Sequence, residues 1–296
     1  MPSSPKRSLI HGVAILAVST SVVVGQTTLH GPTIPWMTWQ EYQQGHFEKP
    51  YIFHHRAAAG NLIYFGAEHS NQPEHPQFTL IEKLWQELRP QVALVEGRLP
   101  PTAPSREVAI QGHGEPGFVG YLARRDGVPV ISMDASLAEQ AQALAARYPL
   151  DQVKLYFILR QVVRWKRFRD QASLDGDGLA AYLQTLAKLP QLSGEPLTEA
   201  AVATTFRKYF GDQGSYRDAT QAWFDPLGQV HWVNQASKDL ADDRNQAMVR
   251  QIITQLASGK RVLAVAGRTH TIMQERALRH LLERQSATDD AQPFKP

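Results

Sequence analysis

LIYFGAEH, residues 62–69, and VLAVAGRTH, residues 262–270, decide the fold: each is an apolar run that ends in Gly-x-x-His. Neither run alternates apolar with polar residues, as a strand with one wet face would. Val92–Val95 and Val128–Ser132 are apolar in the same way. Strands buried on both faces belong to mainly parallel sheets under helices. Helical periodicity lies between them, over Phe78–Leu88 (stopped by Pro90), Leu137–Arg147, Ser237–Ala257 and Thr271–Arg284. The chain therefore reads as α/β, a mainly parallel central sheet flanked by helices. Tyr51–His55 reads as one more strand, joined to the first run as a hairpin through Ala57–Asn61. From about Leu150 to Phe210 one helix succeeds another, so residues 136–235 read as a helical insertion within a single domain, 26–290.

The 296 residues, 43% hydrophobic and 20% charged, can build an ample core. A net charge of +3 gives no reason to expect nucleic acid. With no cysteine, disulfides, thiolate metal sites and cysteine nucleophiles are excluded, so any metal would need His and carboxylate ligands. Lys6 and Arg7 precede the apolar run Leu9–Val24, and small residues offer a cut near Gln26; residues 1–25 read as an export signal. The expected location is periplasmic or extracellular, or membrane-anchored if the segment stays uncleaved. No later segment is apolar enough for a span, and the tail after Gln285 is polar.

Each apolar run gives way to polar residues: Glu68 and His69 after the first, then Glu96, Asp134 and His270 after the others. Open α/β sheets bind ligands outside the carboxyl ends of their strands. Parallel strands would thus gather two histidines and several carboxylates on one edge. Each glycine is expected to let the backbone leave its strand sharply. Each histidine would then stand near a helix N-terminus, whose positive dipole end favours neutral imidazole, the form needed by a metal ligand or general base. In the helix Ser237–Ala257 the apolar row Leu240, Met248, Ile252 and Leu256 is interrupted by Arg244, which shares their face. Either an anion meets that guanidinium, from a strand-end carboxylate or a substrate oxyanion, or the side chain snorkels to a nearby surface. Asn245 beside it is a weaker candidate.

The stretches YFGAEHSNQPEHPQFTLIEKLWQELRPQVALVEGR and DDRNQAMVRQIITQLASGKRVLAVAGRTHTIMQERALRHLL resemble the two halves of the TraB/PrgY/Tiki superfamily. That group is distantly related to ChaN-like haem-uptake proteins and erythromycin esterase-like enzymes. Its paired Gly-x-x-His motifs, its Glu after the second strand and its Arg before the second motif match His69, Glu96, Arg244 and His270; the helical middle is unmatched. The resemblance implies a metal-dependent hydrolase, a Tiki-like metallopeptidase acting on exported peptides. Its ligands would be His69 and His270, with Glu96 or Asp134 completing the set around manganese, cobalt or zinc. Glu68 or Glu96 would serve as general base, and Arg244, with Asn245 beside it, would stabilise the oxyanion. The alternative is a non-catalytic haem or peptide binder that uses the same histidines.

Two further signals compete. Residues 112–117, GHGEPG, satisfy G-x-G-x-x-G after a possible short strand, Val108–Gln111, the order of a dinucleotide-binding unit. Glu115 opposes that reading, because it places a carboxylate where a pyrophosphate would sit. KLYFILRQVVRWKRFR, residues 154–169, is basic and aromatic; its apolar positions fit a core stripe with a solvated basic face better than a nucleic-acid or membrane surface.

Overall fold

The computed structural model describes residues 34–57, 60–167, 173, 177–194, 197–212 and 214–290. From Pro35 onward they belong to one compact unit. The expected export signal, the tip of the first hairpin and the end of the polar tail lie outside the described residues. No helix among the described residues is long and apolar enough to cross a membrane.

The protein is α/β, with five strands in the order β1-β2-β5-β3-β4. They are β1 (Tyr51–Ala57), β2 (Gly60–Ala67), β3 (Val92–Val95), β4 (Val130–Ser132) and β5 (Arg261–Gly267). Only β1, the edge strand of the hairpin, runs antiparallel; β2, β5, β3 and β4 are parallel.

Continuous apolar strands are required because both faces are covered. Ile63, Phe65, Ala93, Val95, Leu263 and Val265 face α2 (Pro76–Leu88) and α3 (Arg106–Asp126), where Phe78 and Phe118 meet edge to face at 5.5 Å. The alternate residues Leu62, Tyr64, Val92, Leu94, Val262 and Ala264 face the two long C-terminal helices, Trp232–Ala257 and Arg268–Asp290. Each fully buried large apolar side chain contributes roughly 1.5–3 kcal/mol.

Between β4 and the first of those helices the described chain is helical. It comprises α4 (Leu137–Ala145), α5 (Leu150–Arg167), α6 (Gly178–Ala187) and α7 (Glu199–Phe210), with short 3-10 turns at 190–192, 216–218 and 221–224. These pack into their own apolar core. The long helices are then α8 (Trp232–Ala257) and α9 (Arg268–Asp290). At 1.5 Å per residue α8 is nearly 40 Å long. Its first half (Val233, Ala236, Leu240) completes the insertion's core, and its second half (Met248, Val249, Ile252, Leu256) packs on the sheet. Arg244 sits at the handover between the two cores.

Two expectations change. Val108–Gln111 is not a strand but lies within α3, so the glycine run does not join a strand to a helix and has no dinucleotide-binding geometry. The reason is local: Ser105 caps a first helical stretch through its side chain, and Gly114, at φ 57° and ψ −137°, leaves helical geometry at a kink that joins it to a second stretch ending at Asp126. Only glycine takes that conformation cheaply. The run Val128–Ser132 forms a strand only from Val130.

Candidate functional site

The strands end in step. Ala67 on β2 pairs with Gly267 on β5, and Val95 on β3 pairs with both Val265 and Ser132. The residues just beyond therefore meet at one edge, under a cavity of about 700 Å³ between the sheet and the helical insertion.

Arg244 reaches that edge from α8 and finds the anions its position requires. Nε and Nη2 donate to Asp134 at 2.9 and 2.7 Å, and Nη2 also donates to Glu96 Oε1 at 2.7 Å. Asp134, expected to bind metal, thus has both oxygens on the guanidinium. Glu96 Oε2 accepts the Gly267 N–H at 2.7 Å. Burial alone would raise Glu96's pKa; His270 (protonated only in acid), Arg244 and His69, with the Gly267 N–H, outweigh it and hold the carboxyl well below the usual range.

His270 is the third residue of α9, and its Nε2 lies 3.6 Å from Glu96 Oε1. A buried chain of hydrogen bonds fixes its tautomer. Tyr64 Oη donates to Gln274 Oε1 at 3.0 Å, and Gln274 Nε2 contacts both Met248 Sδ and Asn245 Oδ1. Sulfur can only accept, so the nitrogen of that amide faces Asn245, whose atom there must be oxygen. His270 Nδ1, 2.7 Å from the same oxygen, must then carry hydrogen, which leaves the lone pair on Nε2. Burial, assisted by Arg244 and opposed by Glu96, lowers His270's pKa to about 4.

That shift has a sign. A histidine whose pKa falls from 6.5 to about 4 on folding binds fewer protons folded than unfolded within that window. Its contribution to stability is complete above pH 6.5 and is lost as pH falls toward 4. In metal-free buffer the unfolding free energy should drop across this range by on the order of 3 kcal/mol at most, read from the urea midpoint. His270→Asn should flatten the slope; an unchanged slope would contradict a neutral buried His270.

His69 stands differently. It belongs to a loop seven residues before α2, with φ 53°, and not to a helix start. Its Nδ1 lies 3.6 Å from Glu115 Oε2, while a Cβ on Gly267 would come within 2.5 Å of its Nε2 and 3.3 Å of Glu96 Oε2. The distal nitrogen therefore rests against the Gly267 turn beside Glu96. Glu115, opposed by burial and helped by Glu96, raises His69's pKa. Glu115 is itself buried just after the Gly114 kink, and its Oε1 accepts the Ser70 N–H at 2.7 Å and Gln77 Nε2 at 2.6 Å.

Comparison of the chain with family models, curated proteins and solved structures finds no match.

The geometry thus gathers His69, Glu96, Asp134, Arg244, Asn245 and His270 at one edge. Glu68 is exposed on the cavity wall; its backbone N–H donates to Gln77 Oε1, and no described contact joins its carboxylate to either imidazole. Sequence reasoning used Glu115 against dinucleotide binding and gave it no partner at the site. It missed Gln77 and Gln274, although Gln274 stands one helical turn beyond His270, on the same face.

The glycines also act differently from expectation. Neither Gly66 nor Gly267 has a positive φ; Gly66 is the next-to-last residue of β2 and Gly267 the last of β5. What each contributes is space for the other motif. A Cβ on Gly66 would lie 3.0 Å from Arg268 Cα and 3.1 Å from Thr271 Cβ, while one on Gly267 would strike His69.

Proposed function

We propose that the chain is a hydrolase whose reacting centre is this strand-end edge, and that His69 and His270 hold a divalent metal ion beside Glu96. The observation that supports it most is the matched anchoring of the two imidazoles. His270 Nδ1 is held by Asn245 and its Nε2 lies 3.6 Å from Glu96, while His69 Nδ1 lies 3.6 Å from Glu115 and its Nε2 lies at the Gly267 turn, where Glu96 also ends. Anchored Nδ1 with free Nε2 is how proteins orient metal-ligating histidines.

The donor set fits such an ion in kind: two imidazole nitrogens and a carboxylate suit manganese, cobalt or zinc. As the side chains stand, no three His, Asp or Glu among the described residues are grouped on one ion. When bound, the ion supplies Lewis acidity toward water and a scissile carbonyl. Arg244 keeps Nη1 without a hydrogen bond to the described residues while its other nitrogens hold Glu96 and Asp134, so it can meet a developing oxyanion at the cavity floor. Asp134 serves by fixing Arg244. The leader would place this activity in the exported compartment, with peptides or small molecules as substrates.

A second reading has its own support. Arg244 already supplies a cation 2.7 Å from Glu96, and the two histidines are pushed in opposite directions, His69 up and His270 down. Opposed pairs of that kind mark an acid and a base. Without metal, His270 Nε2 would take a proton from water as its oxygen attacks the carbonyl carbon. Protonated His69 would return a proton to the leaving group.

Metal analysis and chelation separate the readings. The first expects stoichiometric divalent metal in the purified protein, lost in both His69→Ala and His270→Ala. It also expects hydrolysis of a peptide and ester library that chelation abolishes and manganese, cobalt or zinc restores. Hydrolysis that persists through exhaustive chelation supports the second reading. A Soret shift on adding haem, with no hydrolysis, would make the protein a binder.

A further inference from the structure

One part of the cavity wall is built from apolar side chains and leads directly to the reacting edge. Trp39, on the short helix α1 (Trp39–Gln44), packs with Ala241 of α8 and with Leu227, and all three line the cavity. Leu240 and Phe224, from the insertion's core, extend that wall. The polar atoms among these groups are already paired. Trp39 Nε1 donates to Asp242 at 2.9 Å, and Tyr42 Oη pairs with Thr269 Oγ1 at 2.9 Å. Tyr156 Oη pairs with Ser237 Oγ at 3.2 Å. Asp225 accepts the Leu227 N–H at 2.9 Å, which closes the turn that presents Leu227. What this wall offers a ligand is mostly carbon.

Its place relative to the chemistry follows from α8. Ala241 stands three residues before Arg244, and residues three apart share a helix face with Cβ atoms about 5–6 Å apart. Arg244 is hydrogen-bonded to Glu96 on the reacting edge. The Ala241 methyl therefore lies about one helical turn from the edge, at the spacing of a side chain from a neighbouring carbonyl.

We infer that this wall is a subsite for a bulky uncharged side chain, aromatic or branched aliphatic, next to the bond that is broken, and that Ala241 sets its depth. The inference rests on the reading of the cavity as a substrate site and adds the class of side chain it takes. Trp39 and Ala241 keep 8% and 9% of their surface, while Leu227, Phe224 and Tyr42 are partly exposed. An apolar group laid on them removes carbon surface from water on both sides. A charged side chain in the same place would lose hydration and find the polar atoms of the wall engaged.

The test reads binding, so that it does not depend on turnover. The neutral compounds N-acetyl-phenylalaninamide, N-acetyl-leucinamide and N-acetyl-alaninamide are titrated into the nitrogen-labelled full chain. The indole N–H signal of Trp39, assigned by its loss in Trp39→Phe, is followed. The phenylalanine and leucine amides should move it saturably, with affinity at least roughly tenfold above the alanine amide. Ala241→Leu fills the subsite and should remove most of that advantage. Should Ala241→Leu fail to fold, Leu227→Gln decides alone: it changes a partly exposed side chain and should lower the affinity for the phenylalanine amide by roughly threefold or more. Equal affinity for the three amides would overturn the inference. So would a Trp39 signal that none of them moves, or a phenylalanine amide that the folded variants bind as the unaltered chain does. If the amides bind with the expected preference while no peptide or ester is cleaved, the subsite stands and the hydrolase reading falls. Cleavage with equal kcat/KM for phenylalanine and alanine beside the bond keeps the hydrolase reading and overturns the subsite.

Discussion

Replacing Arg244 with methionine should destabilise the protein by about 3–5 kcal/mol at neutral pH and abolish the proposed hydrolysis. Methionine fills much of the same volume on α8, so the loss is electrostatic. Glu96 and Asp134 remain behind, their side chains 18% and 5% exposed, with no cation between them. Removing one partner of a buried ion pair leaves the desolvation of the other uncompensated. The sign of the pH response should then reverse. In the unaltered chain Glu96's pKa lies below its unfolded value, so its contribution is present above that value and is lost as pH falls. Without Arg244 the two carboxylates share a buried site as like charges, and the first proton is held above the ordinary range. Stability is then recovered on acidification and lost as pH rises. Urea midpoints at neutral and mildly acidic pH measure both effects. Adding Glu96→Gln and Asp134→Asn should restore part of the neutral-pH stability and none of the activity. A variant within about 1 kcal/mol of the unaltered chain at neutral pH would show that the guanidinium does not hold this edge together.

Arg244 also marks how far the sequence could be read. A charged residue in an apolar i, i+4 row requires a buried anion, and buried strands of a parallel sheet require their polar ends on one edge; both inferences are local, and both hold. What stayed hidden depends on long-range placement. That β5 inserts between β2 and β3 is fixed by packing across about two hundred residues, and that insertion sets the two histidine motifs side by side. Glu115 was obscured because its glycine-rich surroundings imitate a phosphate loop; the same glycine kinks a helix and delivers the carboxylate to His69. The apolar stripe of α5 is buried and Arg164, Lys166 and Arg167 are exposed, as its pattern reads; that Arg160, Arg164 and Arg167 also border the cavity depends on where the insertion sits. A period of 3.6 states that a helix has two faces, not what the polar one meets.

The paired glycines give the sharpest separation of fold from chemistry. Gly267→Ala should reduce the proposed hydrolysis by about two orders of magnitude while changing stability by less than about 1 kcal/mol. The added methyl would lie 2.5 Å from His69 Nε2, the far end of a side chain that is 44% exposed and free to swing toward solvent. The imidazole yields, and with it the alignment beside Glu96. Gly66→Ala carries the same change into the other motif with the opposite result. Its methyl would meet backbone at 3.0 Å, at Arg268 Cα and the Tyr51 carbonyl, and Thr271 Cβ at 3.1 Å. Relief requires shifting either the start of α9 or the backbone of β1, so a loss of about 1–3 kcal/mol is expected. Melting curves give the stability half. Imidazole nitrogen shifts of His69 and His270 give the alignment half even where no substrate is in hand: Gly267→Ala should move the His69 signals and leave those of His270, which Asn245 continues to hold. The two motifs look alike because each glycine clears room for the other motif, one for a helix and one for a side chain. Equal responses from the two variants, in stability and in the His69 signals, would show that the resemblance between the motifs is functional symmetry after all.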